Sequence, residues 1–146
     1  MLPDKQRCDM SGNGLDGPDD LAGVLRRTIV DLVRRDGPDL SARQLGVFLT
    51  CYLENDPQTV RGLAAQLGVS KPAITRALDR LTEFDLVKRK TDPMDRRSVL
   101  VQHTSSGAAF LRDLRSIMRD ASADFALDSE AGMDHEPHQQ EVRAGE

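Results

Sequence analysis

Three charged residues stand together in the stretch DPMDRRSVLV, residues 92–101: Asp95, Arg96 and Arg97. Asp92 and Pro93 are turn formers and Ser98 to Val101 is β-prone, so the two arginines are predicted at a hairpin tip. A guanidinium on such a tip grips phosphate, or enters a narrow minor groove where negative potential is concentrated. Asp95 is predicted to hold the Arg97 guanidinium by a charge-assisted hydrogen bond. A second group lies upstream in SKPAITRALDR, residues 70–80. Ser70, Lys71, Pro72, Ala73, Thr75 and Arg76 are small, polar or basic, and they fall in the first turns of a predicted helix. Such a surface can lie close to base edges. Arg76 can grip a guanine through two hydrogen bonds, Thr75 can donate or accept, and Lys71 and Arg80 can reach phosphates.

These groups need elements to carry them. Thr59 is predicted to cap a short helix holding Leu63, Ala64 and Leu67, and Gly68 stands where a left-handed glycine ends a helix. One residue later Ser70 caps the next helix, which runs to about Phe84 with Ile74, Ala77, Leu78 and Leu81 facing inward. A helix, a three-residue turn and a helix make a helix-turn-helix, whose second helix enters the major groove N-terminus first. The runs LVKRKT and RSVLVQH then make a two-stranded hairpin, so the unit is a winged helix. Upstream, Ser41 and Gln44 have capping-box spacing ahead of Leu45, Phe48, Leu49 and Tyr52. The outer helices are predicted at 21–35, with Leu21, Leu25, Ile29 and Leu32, and at 105–125, with Leu111, Leu114, Ile117, Met118 and Phe125. Two such apolar stripes exceed what a short winged helix covers, which points to a homodimer joined through them. The fold class is mostly α with a small β-hairpin wing. The domain is expected over 19–127, with the DNA-binding core at about 41–103. Residues 1–18 are expected to be disordered, and 128–146 an acidic disordered tail.

Charge is unevenly spread along the 146 residues. The net charge is −4, yet residues 58–103 hold nine Lys/Arg against five Asp/Glu, while 124–146 hold one against seven. Local charge is what a polyanion meets within a Debye length of about 10 Å. One Tyr and no Trp argue against a base-stacking single-strand binder. No apolar run approaches a membrane span, the start lacks the apolar stretch of a signal peptide, and a cytoplasmic location is expected. There is no phosphate-binding glycine loop, zincin pair or nucleophile elbow, so no enzyme, cofactor or metal site is expected.

The string TVRGLAAQLGVSKPAITRALDRLTEFDLVKR, followed by DPMDRRSVLV and TSSG, resembles the MarR family of bacterial winged-helix transcription regulators. The resemblance covers about Leu40 to Leu114, and the family's aspartate–x–arginine of the wing falls on Asp95 and Arg97. It implies a homodimer on a palindromic operator in double-stranded DNA, usually a repressor released by a small ligand or an oxidant. It also implies that the first and last helices make the dimer. Two other readings compete: a winged-helix protein-interaction module without DNA binding, and a cysteine-based redox regulator. Cys51, beside Tyr52, reads as a small buried hydrophobe. Cys8 has no structured base near it in sequence to lower its pKa. His135 and His138 sit among acids in the expected tail, where solvation is favoured over metal binding.

Overall fold

The computed structural model describes residues 18–131. The remainder of the two expected disordered segments, with Cys8, His135 and His138, lies outside the described residues. Five helices and one hairpin follow in the order α1 (Pro18–Arg34), α2 (Ala42–Leu53), α3 (Val60–Leu67), α4 (Lys71–Glu83), β1 (Val87–Thr91), β2 (Val99–His103) and α5 (Ser105–Ala131). The mostly α winged-helix class predicted above is the one observed.

Local chemistry sets the boundaries. The Ser41 hydroxyl accepts from Gln44 N at 3.2 Å while Gln44 Oε1 accepts from Ser41 N at 2.9 Å, a closed capping box. Thr59 Oγ1 accepts from Gly62 N, and Ser70 Oγ from Ala73 N. Gly68 ends α3 at φ +64°, a left-handed position that costs glycine little. The β strands pair antiparallel, Val87 opposite His103 and Thr91 opposite Val99. A bridge from Thr59 to Leu100, with Val101 N donating to Gln58 O, ties the segment before α3 to β2.

The core lies where α2, α3 and α4 meet the base of the hairpin. Phe48, Leu63, Ile74, Leu78, Leu81 and Val87 are wholly buried there. Phe110 of α5 meets Phe48 edge-on, ring centroids 5.2 Å apart. Tyr52 closes the same junction. Its hydroxyl donates to Leu86 O at 2.7 Å and accepts from Thr104 N at 3.0 Å, and its ring stacks on His103 at 4.1 Å.

Helices α1 and α5 pack on each other within one chain. Gly23 lets the backbone of α1 meet the Phe125 ring, and Arg27 ion-pairs with Asp124 and Asp128. This corrects the expected interface. Leu111, Leu114 and Ile117 are already buried by the chain's own fold, Ile117 to 2 % exposure, so they are core rather than free stripe. Leu32 and Phe125 are half-buried. The apolar surface left open is Leu21, Leu25, Ile29 and Val33 on α1, with Met118 and Leu127 on α5. The ends differ too. Helix α1 already includes Pro18, which suits a first turn. Helix α5 continues to Ala131, beyond the expected end at 125, because no Gly or Pro interrupts residues 108–131.

Candidate nucleic-acid interface

Helix α4 presents its first turns to solvent because its apolar side is fully used. Ser70, Lys71, Pro72, Thr75 and Arg76 are exposed. Ala73, grouped with them from sequence, is 7 % exposed. It lies one position before Ile74 on the inward side, so the outer face is one residue narrower than expected. The two acids of α4 are both neutralised. Asp79 Oδ1 meets Arg89 Nη2 of β1 at 2.6 Å, and Glu83 Oε2 meets Arg80 Nη1 at 2.7 Å. Arg80 also lies over the Phe84 ring, 4.5 Å from its centroid. Its guanidinium therefore covers the C-terminal end of α4, and the expected reach to a phosphate does not describe this conformation.

The wing loop is built by backbone hydrogen bonds. Asp92 N donates to Ser98 O at 2.9 Å, and Ser98 N donates to Asp95 O at 2.9 Å. The two aspartates tighten it further. Asp92 Oδ1 accepts from Met94 N at 2.9 Å, Asp95 Oδ1 accepts from Arg97 N at 3.1 Å, and Asp95 Oδ2 accepts from Ser98 Oγ at 3.0 Å. Asp95 thus holds the main chain at Arg97, and the predicted bond to the guanidinium is replaced. The physical reason is reach: an aspartate carboxylate two residues before an amide closes an Asx turn more readily than it meets a long side chain. Arg96 and Arg97 remain exposed, with no ion pair among the described residues.

Two groups, Arg61 and the Asp79–Arg89 pair, were missed in the sequence. Arg61 stands in the first turn of α3, and its signal was legible as a cation where an acid is favoured. The Asp79–Arg89 pair joins α4 to the wing, and nothing local in either segment announces it. Cys51 is buried as expected, and burial pushes its thiol up to about 12, so it is neutral and unreactive near neutral pH. Among the described residues no three His, Cys, Asp or Glu side chains gather as a metal set, and no helix is long and apolar enough to cross a membrane.

Comparison with known proteins places this arrangement. The MarR family model matches residues 40–99. The chain is 29 % identical over 113 residues to the uncharacterized HTH-type transcriptional regulator YcgE of Bacillus subtilis, covering 69 % of this chain and 73 % of that protein. It is 33 % identical over 86 residues to the HTH-type transcriptional repressor NicR of Pseudomonas putida, covering 59 % of this chain and 54 % of that one. The chain thus spans about half the length of the second relative. The fold is similar to that in the crystal structure of an S. aureus MepR–DNA complex, with TM-score 0.58 and 17 % identity, covering 79 % of this chain and 89 % of that one. Family model, named relatives and winged-helix architecture agree: residues 40–99 match the MarR family, and the chain is similar to helix-turn-helix transcription regulators.

Proposed function

We propose that this protein regulates transcription by binding double-stranded DNA in a sequence-specific way, as a homodimer on an inverted repeat, in the bacterial cytoplasm. One observation carries the reading. The exposed start of α4, with Lys71, Thr75 and Arg76, lies beside a wing bearing Arg96 and Arg97, and both acids of α4 are held by arginines. Helix α4 enters the major groove, and the wing reaches the neighbouring minor groove. Two recognition helices are expected about 34 Å apart, one turn of DNA. A repressor role is supported by the similarity to a protein described as a repressor. Release by a small ligand is supported by a cavity of about 380 Å³ between the end of α1, the end of α4 and α5, lined by Leu32, Phe84, Leu86, Phe110 and Ile117 beside Arg35 and Asp113. The redox alternative has no support at Cys51, whose thiol is protonated and buried.

The deciding experiment is a salt-titrated shift assay on the DNA upstream of the protein's own gene, set against random duplex of equal length. Tighter binding to the first is the expected result. No binding to either would leave the winged helix as a protein-interaction module.

Two variants extend the assay. Arg76→Ala is expected to cost about 1–3 kcal/mol on the cognate duplex and to relax preference at one base position. Equal losses on cognate and random DNA would show that Arg76 reads no base. Arg97→Ala is expected to lower the salt slope by about one for each protomer. Asp95→Ala removes the Asx turn but no cation, so it should weaken binding while leaving that slope at the wild-type value. A slope lowered equally by both would restore a direct role for Asp95 in holding the guanidinium.

A further inference from the structure

A cavity of about 220 Å³ opens between the starts of α3 and α4 and the two wing strands. Its wall carries Arg61, Lys71, Arg89 and Arg97, with the hydroxyls of Thr75 and Ser98 among them. Four cations from separate segments converge on one small space, where they repel one another. Only Arg89 has an ion-pair partner among the described residues, namely Asp79. Two of the others stand where they weaken the fold. Arg61 is the second residue of α3 and Lys71 the first of α4, and neither first turn holds an acid. Helix dipoles favour anions at those positions. The cavity is also smaller than the roughly 300 Å³ at which small-molecule pockets begin. Its chemistry suits a single oxyanion group.

We propose that this cavity seats one backbone phosphate of duplex DNA, gripped by Arg61 and Lys71, with Arg89 held as a positioning residue by Asp79. The inference rests on the DNA-binding reading above. It follows from the geometry of that reading. A helix in the major groove and a wing in the adjacent minor groove straddle the strand that separates the two grooves. The phosphates of that strand pass over the space between helix and wing, which is where the cavity lies. A phosphate seated there fixes the register of the wing against α4 without reading sequence.

The test uses the full chain and salt-titrated fluorescence anisotropy, on the upstream duplex and on random duplex. Arg61→Gln is expected to lower affinity for both by the same factor, about tenfold, and to reduce the slope of log affinity against log salt by about one for each protomer. Lys71→Gln should act in the same direction. The melting temperature of Arg61→Gln should stay at or above wild type, because a cation leaves a helix N-terminus. Loss of binding without loss of stability separates phosphate binding from a structural role. Wild-type affinity and slope in Arg61→Gln would overturn the cradle while leaving DNA binding intact. A wild-type protein that binds neither duplex would overturn the underlying reading itself. A third arm replaces chloride by inorganic phosphate at matched ionic strength, and unchanged duplex affinity is expected. Saturable competition that disappears in Arg61→Gln would assign the cavity to a soluble oxyanion and overturn the backbone assignment.

Discussion

Leu25→Asp is expected to make the protein monomeric and to abolish specific DNA binding while leaving the chain folded. Leu25 is 61 % exposed, on the α1 face that carries Leu21, Ile29 and Val33 at four-residue spacing. An aspartate there costs the single chain little, since its carboxylate stays in water. In a two-fold dimer closed over this face, two carboxylates lose their water without gaining partners. At about 1.5–3 kcal/mol each, the dimer constant falls by roughly a hundredfold to ten-thousandfold. One winged helix alone makes too small a contact to address a single genomic site. Light scattering and the shift assay read the two effects separately, and the melting curve shows that the fold is intact. A dimeric Leu25→Asp protein with wild-type affinity would place the interface elsewhere. Ile117→Asp, the substitution that the apolar period of α5 first suggests, tests nothing of this kind. Ile117 is buried within its own chain, so a charge there unfolds the protein whatever its oligomeric state.

That contrast shows what a single sequence carries and what it does not. Period and caps are local, and they were legible. Ser41 with Gln44, Thr59, Gly68 and Ser70 each end or begin a helix where their chemistry requires. The inward set Ile74, Ala77, Leu78 and Leu81 followed from helical spacing alone. Ala73 did not, because a small residue reads equally well as outer face or as a close helix crossing. An apolar stripe says that something covers it, but not whether that cover is the same chain or another. Leu111, Leu114 and Ile117 of α5 are covered within the chain, whereas Leu21, Leu25, Ile29 and Val33 of α1 face outward. The wing shows the same division. Its arginines and its turn were legible, but the competition for Asp95 between backbone amide and guanidinium was decided by geometry. The convergence of Arg61 and Arg89 on one cavity depends on the start of α3 meeting the wing, and no window along the chain contains it.

Gly107→Ala is expected to destabilise the domain by at least about 3 kcal/mol, against a helix propensity that on its own favours Ala by about 1 kcal/mol. The reversal of sign is what identifies the cause. Gly107 lies in the first turn of α5, where a Cβ would stand 1.8 Å from the Tyr52 hydroxyl oxygen and 2.2 Å from the Leu86 carbonyl oxygen. The first neighbour is the end of a side chain that already bridges Leu86 O and Thr104 N, so moving it breaks both hydrogen bonds. The second is backbone at the entry to β1, which cannot turn aside. The start of α5 must therefore lift away from the junction of α2 and the hairpin. Since α5 carries α1, the exposed apolar face would shift relative to α4 and the wing, and DNA affinity should fall even below the melting temperature. Tyr52→Phe alone removes the hydroxyl and leaves Thr104 N and Leu86 O without it, at about 1–2 kcal/mol. Combined with Gly107→Ala it removes the 1.8 Å contact but leaves the ring carbon Cζ at 2.7 Å and the Leu86 carbonyl at 2.2 Å, so the pair should be less harmful than the sum and still worse than Tyr52→Phe. Thermal or urea unfolding of the four proteins completes the cycle. A Gly107→Ala protein as stable as wild type would show that α5 does not approach Tyr52 and Leu86 this closely.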